Sequence, residues 1–114
     1  MRHFSIALFL LGGLALPSFG ADEATIQKGE KVFEYWCATC HGPGLPGTVA
    51  LQTKYKGAKP ALLSERTDLI PAVTKTFVRK GVSIMPFFRK TEISDADLDA
   101  LAAYIARNNK TAHH

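Results

Sequence analysis

Three stretches of the chain repeat apolar residues at helical spacing. In residues 22–40, Ile26, Gly29, Phe33 and Cys37 form one stripe, and Val32 and Trp36 widen it. Asp22 is an acceptable N-cap, and Glu23 suits the positive end of the helix dipole. Residues 70–80 form a second helix, entered from Thr67 or Asp68. Pro71 stands at its first helical position and Gly81 just past its end. Val73, Phe77 and Val78 supply its apolar side. The third helix is capped by Ser94 and runs to residue 108, with Leu98, Leu101, Tyr104 and Ile105 on one side. No stretch alternates apolar and polar residues as a half-buried strand does, and there is no internal repeat.

Between these helices the periodicity fails. Residues 42–66 are punctuated by Gly42, Pro43, Gly44, Pro46, Gly47, Gly57 and Pro60 and read as one long irregular loop. Loops of that length are uncommon in compact domains unless they pack on something or carry function. Leu45, Val49, Leu51, Tyr55, Leu62 and Leu63 are the candidates for such packing. A second loop, residues 82–91, contains Met85-Pro86-Phe87-Phe88. Gly29 costs about 1 kcal/mol relative to Ala inside a helix. Either something large crosses the helix there, or the position is a tolerated surface site; the aromatic Tyr104 near the other end of the chain favours a crossing.

The start of the chain reads differently. Arg2 and His3 precede a nearly uninterrupted apolar run over residues 4–16, followed by small residues at 17–21. That is the pattern of a secretory signal peptide over residues 1–20, cut between Gly20 and Ala21, with one domain at 21–114. The run is short for a membrane span, so an uncleaved anchor is the lesser alternative, and no cysteine stands at the cut to carry a lipid. Export implies a periplasmic protein. With 114 residues, 21% of them charged and a net charge of +4, the chain has room for one small domain and too mild a basic excess for a nucleic-acid partner.

The chemistry centres on Cys37-Ala38-Thr39-Cys40-His41. These are the only two cysteines, and their spacing with the following histidine is that of covalent haem attachment. On a helix the three residues stand at i, i+3 and i+4 and share a face. A disulfide is the alternative for an exported pair, but it closes a very short loop, stabilises little and leaves His41 unexplained. His41 binds iron through Nε2, and the Pro46 carbonyl is the candidate acceptor for its other ring nitrogen. The second metal ligand follows by elimination. His3 and Met1 leave with the leader, and His113 and His114 lie in a loose tail. Met85 is therefore the one methionine of the mature chain, held extended by Pro86. The bland reading is a methionine filling a gap in the core. Cofactor-binding residues are thus Cys37, Cys40, His41 and Met85, with His41 and Met85 on the metal. His/Met ligation raises the reduction potential and leaves no open position on the iron, which points to single-electron transfer and away from an enzyme.

With those residues in place, the chain resembles a bacterial class I cytochrome c. The resemblance rests on Gly29 with Phe33, on Cys37 to His41, on Gly81 followed by Val82-Ser83-Ile84-Met85-Pro86, and on residues 94–105 with Tyr104. It implies an all-α fold of three to four helices and long loops around one haem c. It also implies a crossing of the first and last helices in which Gly29 and Phe33 meet Tyr104. A narrower resemblance rests on Pro46-Gly47-Thr48, on residues 65–69 and on residues 85–94. These look like the small cytochromes that accompany periplasmic flavoprotein dehydrogenases, of the 4-cresol methylhydroxylase cytochrome subunit type. The loop lacks the tryptophan with which some class I members bind a haem propionate; Lys54, Tyr55, Lys56 and Arg66 are the substitutes.

Two partner classes follow. A periplasmic flavoprotein dehydrogenase would donate electrons for the respiratory chain, docking on an apolar patch at Phe87 or Phe88, unless both rings merely cover the haem. A free shuttle to a terminal oxidase or reductase, reached directly or through a downstream cytochrome, would use Lys54, Lys56, Lys59, Lys75, Arg79, Lys80, Arg89 and Lys90 as a steering ring, unless these are simply a solvated surface. No membrane anchor is expected once the leader is cut. An enzyme reading requires either reactive thiols, without the strand-and-helix alternation that usually carries them, or a peroxidase from which Met85 has left the iron.

Overall fold

The computed structural model describes residues 12–14 and 21–111. The expected leader lies almost wholly outside the described residues, as do residues 112–114 of the tail. Five α-helices follow in order: α1 (Glu23–Trp36), α2 (Ala38–His41), α3 (Pro46–Tyr55), α4 (Pro71–Lys80) and α5 (Asp95–Ala106), with a 3-10 turn at Leu63–Glu65. Among the described residues there is no strand, only an isolated bridge between Val82 and Met85. The all-α expectation holds.

Capping explains where the helices begin. The Asp22 carboxylate accepts from the Thr25 N–H at 2.8 Å, and the Ser94 hydroxyl accepts from the Asp97 N–H at 3.1 Å; each satisfies an amide with no partner inside its helix. Pro71 and Pro46 open α4 and α3, where a missing N–H costs nothing. Gly81, at φ 69°, ends α4 with its N–H on the Phe77 carbonyl at 2.7 Å.

Two boundaries differ from the sequence reading. The first helix does not run unbroken to Cys40. It stops at Trp36, Cys37 turns to φ −113°, and the Cys37 carbonyl accepts from both the Cys40 N–H (3.1 Å) and the His41 N–H (2.8 Å) to start α2. Inside the expected loop, α3 forms. Its cavity-facing positions 46, 47, 50, 51, 54 and 55 recur at helical spacing, yet its apolar residues are spread around the axis, so no stripe shows in the sequence. It ends where Lys56 (φ 47°) and Gly57 (φ 85°) take left-handed conformations.

The core sits where α1 crosses α5. A Cβ on Gly29 would overlap the Ala100 carbonyl oxygen and lie 2.7 Å from Tyr104 Cβ, so only glycine admits this approach. The Phe33 and Tyr104 rings pack beside it with centroids 5.6 Å apart. Ile93, Leu98, Leu101 and Ile105 complete the buried cluster, and Val78 brings in α4. Beyond α5, Asn109 Nδ2 donates to the Leu69 carbonyl at 3.1 Å, and Asn108 and Arg107 donate to the Ser64 carbonyl at 2.8 and 3.2 Å. These bonds pin the segment before α4 against the end of α5.

Candidate cofactor cavity

A cavity of about 530 Å³ opens beside this core, within the range of small-ligand sites. All four residues singled out from the sequence line it: Cys37, Cys40, His41 and Met85. α2 carries Cys40 and His41, with Cys37 at its head. The return past Gly81 carries Met85, whose N–H and carbonyl pair with Val82 at 2.9 and 3.1 Å. Val78, Leu101 and Ile105 close the floor with side chains less than 5% exposed. Trp36 and Phe88 close one wall edge to face, with centroids 5.8 Å apart.

Burial lowers the pKa of His41 and so favours the neutral imidazole, the form that binds a metal. Its Nδ1 is buried with no hydrogen-bond partner. The expected bond to the Pro46 carbonyl is therefore corrected. Pro46 is the first residue of α3, and a carbonyl there is directed along the helix to the amide four residues on. What does meet the ring is Gly47: a Cβ at that position would lie 3.1 Å from Nδ1 and 2.8 Å from the Cys40 carbonyl oxygen. The Thr48 hydroxyl then ties α3 to the end of α2 by donating to the Gly42 carbonyl at 2.8 Å. Neither Gly47 nor Thr48 was singled out as a site residue from the sequence. The available signal was a glycine directly after a helix-opening proline.

The Cys37 thiol is a poor nucleophile as it stands. Burial, and then the neighbouring Cys40, push the Cys37 thiol up to about 12. Reactive cysteines need the opposite shift, which speaks against a thiol oxidoreductase.

The polar corner of the cavity is built around Arg66, whose side chain is 3% exposed. Its Nε and Nη2 donate to both Asp68 carboxylate oxygens at 2.6 and 2.9 Å, and its guanidinium lies over the Tyr55 ring, 4.7 Å from the centroid. The Arg66 and Lys59 bonds hold the Asp68 carboxyl well below the usual carboxylate range. Of the four substitutes named for a propionate-binding tryptophan, Lys54, Tyr55 and Arg66 line the cavity and Lys56 does not.

The two aromatics after Met85 part company. Phe88 faces the cavity, while Phe87 is 60% exposed beside Ile84 at 76%. The basic ring is largely cancelled. Lys59 pairs with Asp68, Lys75 with Asp99, Arg79 and Lys90 with Asp95, and Arg89 with Glu92. Lys54, Lys56 and Lys80 have no ion-pair partner among the described residues.

Comparison with known proteins agrees with this geometry. A family model described as "Cytochrome C oxidase, cbb3-type, subunit III" matches residues 24–105. The chain is 31% identical over 98 residues to the Cbb3-type cytochrome c oxidase subunit CcoP of Azospirillum brasilense, covering 81% of this chain and 31% of that protein. It is 31% identical over 102 residues to cytochrome c6 of Pyropia yezoensis, covering 90% of this chain and 86% of the relative. The chain thus spans about a third of the oxidase subunits it matches and most of cytochrome c6.

Proposed function

The chain belongs to this cytochrome c family, and on that footing we propose that Cys37 and Cys40 form the two thioethers and His41 and Met85 the axial ligands of one haem c. It is a class I c-type cytochrome, an electron carrier and not an enzyme, with covalently bound haem c. The observation that carries the ligand assignment is that these four residues, from two separate stretches of sequence, line one largely apolar cavity.

A bound haem supplies reversible one-electron chemistry, at a potential that a thioether ligand raises. The protein's part is to hold and shield it. Cys37 and Cys40 would tether it, His41 would offer Nε2 and Met85 its thioether sulfur. Leu101 and Ile105 exclude water from the floor. Arg66, aimed by Asp68, and Tyr55 offer donors to a propionate. Substituting Met85→Ala is expected to abolish the methionine-to-iron charge-transfer band and lower the midpoint potential; an unchanged spectrum overturns Met85 as a ligand.

For partners, we favour a periplasmic flavoprotein dehydrogenase, of the 4-cresol methylhydroxylase kind, as donor to this carrier and the respiratory chain as acceptor. Two observations support docking by apolar contact: Ile84 and Phe87 stand exposed on the Met85 loop, and most of the surrounding cations are already paired, which weakens long-range steering. The second reading, a shuttle that delivers to a terminal oxidase, is favoured by the similarity to an oxidase subunit. Co-purification with a flavoprotein at high salt supports the first. Steeply salt-dependent reduction with no stable complex supports the second.

Export through a leader at residues 1–20, leaving a domain at 21–114, is part of the same proposal, supported by the apolar run at 4–16. Among the described residues no helix is long and apolar enough to cross a membrane. N-terminal sequencing of the purified holoprotein tests the cut; a mature chain that starts at Met1 overturns it.

A further inference from the structure

The last turn of α4 grips the backbone of Phe88 at both of its polar groups. The Phe88 N–H donates to the Val78 carbonyl at 2.7 Å. Arg79 Nη1 donates to the Phe88 carbonyl at 3.1 Å. The other terminal nitrogen of that guanidinium, Nη2, donates to Asp95 Oδ1 in the first turn of α5 at 2.8 Å. Lys90 holds the second oxygen of Asp95 at 2.8 Å. One half-buried side chain thus joins α4, the segment 82–91 and α5.

Apart from these bonds, Met85 and Phe88 pack against the core, Phe88 on Trp36, and the rest of the segment is exposed or only partly covered. Its internal ties are the Val82–Met85 pair and a turn at Arg89 closed by Glu92. Ser83 sits at φ 53°, unusual for a residue with a side chain, and Ile84 and Phe87 face outward. A segment in which only Met85 and Phe88 are even partly covered belongs to the low-stability end of a fold, where local opening occurs. Met85 lies three residues from the grip.

We propose that Arg79 is a positioning residue for the sixth metal ligand: by clasping the Phe88 carbonyl against α5 it keeps the Met85 loop closed and so sets how readily Met85 leaves the iron. The proposal rests on Met85 being that ligand. Arg79 suits the task because its planar fork serves two acceptors at once. The exposed ion pair with Asp95 contributes little by itself; it aims the guanidinium. The bond to the Phe88 carbonyl carries the effect, because cutting it leaves that carbonyl without its donor.

Imidazole binding to the ferric holoprotein tests this. Met85 Sδ leaves the iron, an imidazole nitrogen takes its place, and no electron is transferred, so the apparent affinity reads the population of the open loop. Arg79→Leu is expected to raise that affinity about tenfold, the equivalent of one hydrogen bond to a charged group. Arg79→Lys, which can serve one acceptor, is expected to raise it about threefold on the same scale. In a urea titration of Arg79→Leu, the methionine band is expected to disappear at lower urea while the far-ultraviolet helix signal keeps its midpoint.

An unchanged affinity overturns the proposal, and so does an equal shift of band and helix, which marks a general loss of stability. If Arg79→Leu does not fold, Asp95→Asn carries the test. It is expected to raise the affinity about twofold by releasing the aim of the guanidinium, and no change there overturns the proposal. Absence of the methionine band from the unaltered protein would instead remove Met85 as ligand, an outcome visible before any variant is made.

Discussion

Two halves of the molecule make their cores in different ways. At the α1–α5 crossing the chain packs on itself: Ala100, Leu101, Ala102 and Ile105 are essentially sealed by protein atoms, and Gly29 lies against the Ala100 backbone. On the other side, α2, α3 and the Met85 loop turn their inward residues toward a cavity. Within α3 only Thr48 is buried by protein, and its hydroxyl donates to the Gly42 carbonyl. The first half carries its own hydrophobic stabilisation. The second becomes a core only when an apolar cofactor lies against it. A domain of this size has little apolar surface to spare, so the division explains how so short a chain supports two long connections.

The largest test removes the cofactor's attachment. Changing both Cys37 and Cys40 to Ala is expected to reduce covalent holoprotein to near zero, measured by haem stain and absorbance, and to cost helix content in far-ultraviolet circular dichroism beyond the four residues of α2. Full helix content without haem would break the comparison. Next, Ile93→Ala in the self-packed half is expected to cost about 3 kcal/mol in chemical denaturation of the holoprotein, because Ile93 is fully buried. Gly29→Ala sets two effects against each other. Helix propensity favours alanine by about 1 kcal/mol, but overpacking against the α5 backbone costs up to about 3 kcal/mol, so a net loss near 2 is expected in the same experiment. A stabilised Gly29→Ala would show that the crossing is looser than its geometry. Last, Lys75→Ala, which breaks an exposed pair with Asp99, is expected to change stability by less than about 0.5 kcal/mol.

The self-packed half was largely legible in the sequence because its signals are local. Asp22 and Ser94 cap where capping residues should, Pro71 and Gly81 bracket α4, and Gly29, Phe33 and Tyr104 lie on apolar stripes. The proposed ligand set rests on a different signal: the chain holds so few thiols, thioethers and imidazoles that elimination can act, and the four residues line one cavity. The cavity half was harder. α3 faces a cavity and not a protein core, so its apolar residues need not form a stripe, and glycines flank it. The Pro46 carbonyl is a candidate acceptor only if Pro46 lies in a loop, and Pro46 is the first residue of α3. Two of the cations offered as a ring or a solvated surface find partners far along the chain: Lys75 meets Asp99, and Arg79 meets Asp95. Sequence spacing does not reveal such pairs.

The chain contains one tryptophan, and Trp36 sits in the cavity wall with its ring against Phe88. A porphyrin seated in that cavity would lie close enough to take up the excitation energy of the indole, so the folded holoprotein is expected to be dim in tryptophan fluorescence. Emission would return as Trp36 and the porphyrin separate. The protein therefore carries a built-in optical gauge of its own cavity, readable in real time without a label.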